Sequence, residues 1–236
     1  MGTVYLIPSL LSEEGIDGIP PAVLSAVKNC QVFFVENERT TRRYFKKIWK
    51  EMVIDEYEWF NMSDAFTVSD IFKQYLRNNK TIGIISEAGC PGVADPGQAL
   101  IAIAQEMGAT VKPLTGPSSI LLALMASGMN GQHFQFAGYL PVDERERATA
   151  IRELEAESAK KNCTQIVIET PYRNNKLAEA FIRHCKPSTR LCIAANITDK
   201  NEMIQTKTIA GWKDKLPDLH KQPVIFCFHA MAGPLT

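Results

Sequence analysis

The sequence predicts an α/β protein with two α/β domains, the first with a mainly parallel sheet and the second with a mixed sheet. In the first half, short β-branched or aromatic runs alternate with helical stretches, which is typical of a βαβ series. The clearest run, Ile82–Ile85, is apolar on both faces, as expected for a parallel strand with helices on either side. The second half has a different rhythm, with late strands that can form a mixed or antiparallel sheet.

The elements of the first half follow from hydrophobic periodicity and from the glycine and proline residues between the runs. In a parallel sheet of this kind, ligands bind beyond the carboxyl ends of the strands. The predicted strands are Val4–Ile7, Val32–Val35, Val53–Tyr57, Ile82–Ser86 and Thr110–Leu114, and the predicted helices are Ala22–Lys28, Thr41–Trp49, Ser69–Arg77 and Gln98–Met107.

The second half begins with a helix over Ser118–Ser127, and Gly128–Gly131 after it is predicted to be a hinge. We expect a domain boundary near residues 115 to 130, and we assign the domains to residues 1–117 and 118–236. The remaining predicted elements are the strands Phe134–Ala137, Gln165–Glu169, Leu191–Ala195, Ile204–Ile209 and Val224–Phe228, and the helices Glu144–Ala159 and Lys176–His184.

Composition limits the function classes. The chain of 236 residues is 45% hydrophobic, enough for one or two substantial cores, and its 26 basic and 26 acidic residues give zero net charge. Contact with a nucleic acid would therefore need a local basic patch. The six cysteines and four histidines have no metal-ligand spacing, so we predict free thiols and no metal. With no signal-like segment or apolar span of membrane length, we expect a cytoplasmic protein that does not contact a membrane.

The segment Ile84–Gly97 is the most informative part of the chain. A β-branched run enters it, glycines and prolines shape it, and an apolar-periodic helix leaves it, so it is predicted to be a strand, an ordered loop and a helix. Glycine lets a ligand approach the main chain, and proline stiffens a turn. The loop is thus a candidate ligand site, although a long crossover without a ligand has the same pattern.

Two turns have similar positions between a strand and a helix. In Pro113–Ser119, Ser118 or Ser119 can cap a helix whose free amides would face a ligand, but capping alone would also explain these serines. Glu169–Arg173 also joins a strand to a helix, and a capped turn with a surface arginine is the simpler interpretation.

A basic stripe lies on the predicted second helix, interleaved with aromatic and apolar residues. Spacing by three and four residues places several of its charges on one exposed face. Such a stripe can bind phosphates, but a solvated helix face is commoner. Its residues are Arg39, Arg42, Arg43, Lys46, Lys47 and Lys50.

Together these segments resemble the tetrapyrrole-methylase superfamily, in the branch that contains ribosomal small subunit methyltransferase I. Residues 86–97, Ser-Glu-Ala-Gly-Cys-Pro-Gly-Val-Ala-Asp-Pro-Gly, are similar to the family's Ser-Asp-Ala-Gly-x-Pro-x-x-x-Asp-Pro-Gly signature. The resemblance covers nearly the whole chain. It also includes Val4–Pro8, Glu36–Thr41, Pro113–Ser119, Gly138–Pro141 and Glu169–Arg173.

The resemblance implies two α/β domains that hold S-adenosylmethionine in a cleft between them, usually in a homodimer. It implies a methyltransferase whose leading acceptor is a ribose hydroxyl of ribosomal RNA. The candidate contacts to that RNA come from the basic stripe and are Arg39, Arg42, Arg43, Lys46 and Lys47. The cofactor contacts that it implies, many of them through the backbone, are Pro8, Ser86, Ala88, Gly89, Val93, Asp95, Ser118, Ser119, Leu140, Thr170, Ala194, Ala195 and Pro223.

Methyl transfer from a sulfonium is an in-line displacement in which positioning supplies much of the acceleration. A ribose hydroxyl must also lose its proton, which makes Glu87 a candidate general base. Glu87 can equally be a structural acceptor for loop amides, and this is the favoured interpretation.

Three departures from the family pattern keep other functions open. Residues 9–18 are about two residues longer than the family's element and carry three acidic side chains, which weakens phosphate or RNA binding there. Ala195–Lys200 stands where the family has Arg-Glu-Leu-Thr-Lys, and Gln222–Pro223 stands where it has Gly-Glu, so a basic residue and two carboxylates are missing around Asn196 and Gln222. The alternatives are a methyltransferase acting on a tetrapyrrole or another small molecule, and a protein that binds S-adenosylmethionine without catalysis.

Overall fold

The computed structural model describes residues 1–63 and 65–230, with the side chains of residues 65–67 left aside. The chain forms two compact units, Met1–Ser118 and Ser119–Thr236. The predicted domains 1–117 and 118–236 remain a prediction, because compactness within one structure does not test whether either part folds alone. Residues 231–236 of the predicted second domain lie outside the described residues.

The first unit contains a sheet in the order β3-β2-β4-β1-β5, in which every pair of described neighbours is parallel. Short 3-10 turns cover Gly15–Gly18 and Ile54–Glu56. The strands are β1 (Thr3–Ile7), β2 (Val32–Val35), β3 (Glu58–Asn61), β4 (Thr81–Ile85) and β5 (Thr110–Pro113), and the helices are α1 (Pro21–Asn29), α2 (Glu38–Ile48), α3 (Ala65–Arg77) and α4 (Gly97–Glu106).

Apolar side chains cover both faces of this sheet, as predicted for parallel strands. Phe34 and Ile84 share one cluster with residues of α3 and α4, whereas Phe33 and Ile85 share another with residues of α1 and α2. Neighbouring residues of one strand thus bury their side chains on opposite faces. Because the strands are parallel, all five carboxyl ends meet at one edge of the sheet, which we call the first edge.

The second unit contains a mixed sheet in the order β6-β7-β10-β8-β9. Only β6 and β7 are parallel, and the three other pairs of described neighbours are antiparallel. The strands are β6 (Phe134–Tyr139), β7 (Thr164–Ile168), β8 (Arg190–Ala195), β9 (Met203–Thr208) and β10 (Val224–His229), and the helices are α5 (Ser119–Ser127), α6 (Glu144–Lys161), α7 (Asn174–His184) and α8 (Ile209–Trp212).

The predicted fold class is confirmed, with a parallel sheet followed by a mixed sheet. The predicted strand Val53–Tyr57 is wrong, because Ile54–Glu56 forms a 3-10 turn and the strand begins at Glu58. Asp55 and Glu56 are poor strand residues, whereas Trp59 and Phe60 pair with Phe33 and Phe34 of β2.

The predicted hinge Gly128–Gly131 lies inside the second unit, where hydrogen bonds hold it in place. The Gly128 carbonyl accepts from Arg190 Nη1 at 3.2 Å. The Asn130 carbonyl accepts from Thr164 Oγ1 at 2.9 Å, and the Asn130 side chain donates to the Asn162 carbonyl at 2.6 Å. The segment is therefore a fixed turn of the second unit.

Candidate functional site

The first edge brings the predicted loop next to the residues that follow β1. The Ser9 amide donates to the Gly89 carbonyl at 2.8 Å, and the two residues form an antiparallel bridge. The Pro8 carbonyl accepts from the buried Tyr44 hydroxyl at 3.0 Å. A Cβ atom at Gly116 would lie 2.2 Å from Pro8 Cβ, so glycine is what allows this approach. Three separate loops thus meet around Pro8.

Internal hydrogen bonds fix the loop of residues 86–97. The buried Ser86 hydroxyl donates to the Gly89 carbonyl at 3.1 Å. The Asp95 carboxylate accepts from the Gly92 amide at 2.8 Å and from the Gly97 amide at 2.7 Å. Burial raises the pKa of Asp95, although both amide bonds act in the opposite direction. Asp95 is thus occupied as a clamp within the loop.

Left-handed backbone lets the loop turn sharply at Gly89 and Gly92, whose φ angles are +73° and +84°. Burial raises the pKa of the Cys90 thiol, whose sulfur lies 3.4 Å from the Pro117 carbonyl. Val93 is 51% exposed. The loop therefore has a rigid base and an exposed apolar tip.

Glu87 is exposed and connects this loop to the one that follows β2. Its amide donates to Glu36 Oε2 at 2.8 Å, and its carboxylate accepts from Asn37 Nδ2 at 3.3 Å. Asn37 also caps α2, because its Oδ1 accepts from the Thr40 amide at 3.2 Å. The partner of the Glu87 carboxylate is therefore a side chain of another loop, rather than the loop amides that the favoured interpretation expected.

A cavity of about 330 Å³ opens beside Glu87, entirely within the first unit. Arg43 and Lys47 of α2 line it, together with Glu13. Sequence reasoning missed the hydroxyl groups that also line it, although the Glu36–Thr41 element marked this region. These hydroxyls belong to Ser9, Ser12, Thr40 and Tyr44.

The predicted site residues of the second unit gather at one edge of the mixed sheet, which we call the second edge. Strand register places the ends of β6 and β7 side by side, with Tyr139 opposite Ile168. Val224, at the start of β10, pairs with Ala195, at the end of β8. Leu140, Thr170, Ala194, Ala195 and Pro223 therefore lie at the second edge, and Ser119 begins α5.

A buried carboxylate closes the turn after β7. The Glu169 side chain is 1% exposed, and its Oε1 accepts from the Thr170 amide at 2.6 Å and from Arg173 Nη2 at 2.7 Å. Arg173 is 32% exposed, so it is more than the surface arginine of a capped turn. The Glu169–Arg173 pair is part of the structure of this turn.

The altered residues Asn196 and Gln222 contact each other. Asn196 Nδ2 donates to Gln222 Oε1 at 2.6 Å, and Gln222 Nε2 donates to the Asp218 carbonyl at 2.7 Å. Asn174 Nδ2 donates to the Gln222 carbonyl at 2.7 Å. A network of neutral amides thus stands at the second edge.

Within residues 1–63 and 65–230, the structure shows no group of three or more histidine, cysteine or acidic side chains that could hold a metal ion. All six cysteines are free, as predicted, and Cys90 is the most exposed of them. In the same part of the chain, no helix has the length and hydropathy of a membrane span.

Comparison with known proteins identifies the family. Residues 15–211 match the family model described as Tetrapyrrole (Corrin/Porphyrin) Methylases. A protein of Mesorhizobium japonicum named "Ribosomal RNA small subunit methyltransferase I" is 33% identical over 154 residues, which cover 64% of this chain and 51% of that protein. Its namesake in Bacillus subtilis is 26% identical over 218 residues, covering 91% of this chain and 71% of that protein.

Two solved structures share the fold. Diphthine synthase superposes with a TM-score of 0.68 at 13% identity, over 98% of this chain and 90% of that chain. The methyltransferase CobJ gives 0.64 at 14% identity, over 100% of this chain and 97% of that chain. The chain spans about half the length of the first curated relatives that it matches.

Proposed function

Because the chain belongs to the tetrapyrrole (corrin/porphyrin) methylase family, we propose that it is an S-adenosylmethionine-dependent methyltransferase. The observation that carries this proposal is the first edge, where the loop of residues 86–97 is bonded to Ser9 and packed beside Pro117. This edge is where parallel sheets bind their ligands. Its rigid loop base provides the fixed geometry that group transfer needs.

We propose cofactor contacts in each unit, considered separately. The proposed contacts in the first unit are Pro8, Ser86, Ala88, Gly89, Val93, Asp95 and Ser118, and those in the second unit are Ser119, Leu140, Thr170, Ala194, Ala195 and Pro223. Most of these side chains are small or apolar, so recognition would use backbone donors and acceptors, as in many preformed ligand sites. The role of Asp95 is to hold the loop. Bound S-adenosylmethionine would supply a methyl group on a sulfonium.

We propose a ribose hydroxyl of ribosomal RNA as the acceptor, since the curated relatives are named for small-subunit ribosomal RNA. Glu87 is the proposed general base, because its exposed carboxylate lines the cavity of the first unit and Asn37 positions it. The carboxylate would accept the hydroxyl proton while the oxygen forms its bond to the methyl carbon and the sulfur–carbon bond breaks.

A binding protein without catalysis is the competing proposal. Its sequence argument is that the altered elements, which include Asn196 and Gln222, are ones that could touch the acceptor rather than the cofactor. In this structure Asn196 donates to Gln222, and Gln222 donates to the Asp218 carbonyl, so both altered side chains have a structural role and their change does not by itself favour the loss of catalysis. A homodimer and a cytoplasmic location stay expectations from the resemblance and from the cysteine content.

Calorimetric titration with S-adenosylmethionine tests the proposal, and Ser118→Trp should lower the affinity about tenfold or more because the indole fills the proposed cofactor site. Ser188→Trp is the matched control, since Ser188 is exposed at the end of the mixed sheet opposite the second edge. Absence of saturable binding in the wild type would overturn both the enzyme and the binding protein.

Transfer of labelled methyl groups to small ribosomal subunits that lack the modification then separates the enzyme from the binding protein. We expect transfer by the wild type and a loss of about 100-fold in Glu87→Gln, because a general base contributes roughly 10²–10⁴-fold. Cofactor binding without transfer would favour the protein without catalysis.

A further inference from the structure

The cavity of the first unit contains charged groups that the methyl-transfer step does not use. Arg43 and Lys47 lie four residues apart on α2, so both side chains extend from the same face of the helix. Both line the cavity of about 330 Å³, as does Glu87, the proposed base. Two cations thus lie in the cavity in which the acceptor would lose its proton.

Both cations already pair with an acidic side chain of the same protein, Glu13. The Lys47 ammonium contacts the Glu13 carboxylate and also lies 3.2 Å from the Glu13 carbonyl oxygen. Arg43 Nη1 lies 3.7 Å from Glu13 Oε1. The bond to Lys47 holds the pKa of Glu13 below its usual range. Glu13 therefore stands as an anion between the two cations.

Two other cations of the basic stripe have structural partners. Arg42 Nη2 pairs with Glu38 Oε1 at 2.5 Å, and its guanidinium stacks over the Trp59 ring at 5.2 Å. Lys46 Nζ donates to the Met52 carbonyl at 2.5 Å and to the Lys50 carbonyl at 3.0 Å, beyond the end of α2. Arg43 and Lys47 are thus the members of the stripe that both line the cavity and pair with an exposed carboxylate.

We propose that this cavity binds a phosphate group of the methyl acceptor, and that the phosphate displaces Glu13 from Arg43 and Lys47. The identity of the acceptor rests on the proposed methyltransferase function. The volume lies at the lower end of the range for small-molecule sites, roughly 300–1,000 Å³, which suits one nucleotide. The hydroxyls of Ser12 and Thr40 line the same cavity, and that of Thr40 donates to the Asn37 carbonyl at 3.1 Å.

Displacement is favourable because the internal pair is exposed and weak. The Glu13 side chain is 66% exposed, the Arg43 side chain 55% and the Lys47 side chain 34%, and exposed ion pairs contribute little to stability. Glu13 contacts the Arg43 guanidinium through one oxygen at 3.7 Å. A phosphate can instead accept two parallel hydrogen bonds from the same guanidinium. Glu13 thus makes the cavity selective for anionic ligands, because a neutral ligand gains no ion pair by displacing it.

Fluorescence anisotropy with a labelled single-stranded RNA oligonucleotide tests the proposal. At ~50 mM salt, Glu13→Gln should bind about fivefold more tightly than the wild type, because the competing carboxylate is gone. Lys47→Met should bind about fivefold more weakly, with a salt slope lower by about one. Circular dichroism shows that each variant is folded.

Matched variants control for net charge. Asp17→Asn changes the charge of the same segment as Glu13→Gln, and Lys50→Met changes that of the same region as Lys47→Met, while neither residue lines the cavity. Adenosine monophosphate is titrated as a competitor. If adenosine monophosphate competes, and its affinities rank the variants as the RNA affinities do, one nucleotide phosphate is sufficient for binding. If RNA binds without such competition, recognition requires the longer RNA backbone. Both outcomes support the site.

Equal affinities of Glu13→Gln and Asp17→Asn would overturn the role of Glu13, and equal affinities of Lys47→Met and Lys50→Met would overturn the phosphate site. No RNA binding by Glu13→Gln overturns both. The same preparations are titrated with S-adenosylmethionine. Normal cofactor binding beside a negative RNA result refutes this inference alone, whereas missing cofactor binding refutes the proposed function.

Discussion

Charged side chains are exposed at the first edge and buried in hydrogen bonds at the second. At the first edge, Glu13, Arg43 and Glu87 are exposed and line a cavity. At the second edge, the Glu169 carboxylate is buried and bonded to Arg173 and to the backbone, and the Asn196 amide donates to Gln222. Charge at the first edge is thus available to a ligand, whereas charge at the second edge holds the protein together.

Topology accounts for part of this difference. In the parallel sheet every described strand ends at the same edge, so several connecting loops meet there. In the mixed sheet, β9 and β10 begin where β6, β7 and β8 end. The first edge consequently collects loop side chains from distant parts of the chain. The proposed acceptor recognition and proton transfer rest on such loop side chains of the first unit.

The largest effect is expected from Glu169→Ala, which breaks the buried pair of the second edge. Arg173 and the Thr170 amide would lose their acceptor, and removing one partner of a buried ion pair costs roughly 3–5 kcal/mol. Because Arg173 is 32% exposed, we expect a loss of about 3 kcal/mol in the free energy of unfolding. Urea denaturation measures it.

Glu179→Ala is the control for Glu169→Ala, because Glu179 is an exposed residue of α7 in the same unit. Its cost should stay within about 0.5 kcal/mol. If both variants lost the same small amount, the carboxylate of Glu169 would be no more important than a surface charge, and the contrast between the edges would fail.

A smaller effect, about 2 kcal/mol, is expected from Gly116→Ala at the first edge. The new Cβ would lie 2.2 Å from Pro8 Cβ and 2.4 Å from Pro8 Cγ, so the loops around Pro8 must move apart. Affinity for S-adenosylmethionine should fall with stability, because Pro8 and Ser118 are proposed cofactor contacts. Thermal unfolding and calorimetry measure both quantities.

Gly18→Ala is the matched control, since no atom lies within 4 Å of a Cβ built there. It should leave cofactor affinity unchanged. A stability loss in Gly116→Ala with unchanged affinity would show that the packing of Pro8 is structural and would place the cofactor elsewhere.

Local patterns were sufficient to predict most of the fold. The bounds of β2, Val32–Val35, agree with the prediction, because four buried apolar residues stand between clear breaks. The predicted strand Val53–Tyr57 failed because the position of β3 depends on distant partners: Trp59 lies 4.9 Å from the Phe33 ring, and Phe60 lies 5.2 Å from the Phe34 ring. Such cross-strand contacts have no local signal.

For the candidate site, sequence predicted the form of the loop backbone but not the contacts between charged side chains. The glycine and proline pattern of residues 86–97 located the loop, because those residues act through local backbone preferences. The contact between Glu13 and Lys47 joins residues 34 positions apart, and that between Asn196 and Gln222 joins residues 26 positions apart. The cap at Asn37 starts α2 at Glu38, before the predicted Thr41. Sequence marked the acidic segment and the basic stripe without showing that they neutralise each other.

The smallest effect is expected from Glu13→Gln on stability, and its salt dependence gives the sharpest comparison of the two edges. Exposed pairs are worth roughly 0–1 kcal/mol, so Glu13→Gln should cost under ~0.5 kcal/mol in low salt and nothing measurable at ~1 M salt, where charges are screened beyond about 3 Å. Glu169→Ala should keep most of its cost at the same salt concentration, because its carboxylate is shielded from solvent. Urea denaturation at both salt concentrations measures the difference. An equal salt response in the two variants would mean that both carboxylates experience the same solvent, and the contrast between exposed charge at the first edge and structural charge at the second would lose its physical basis.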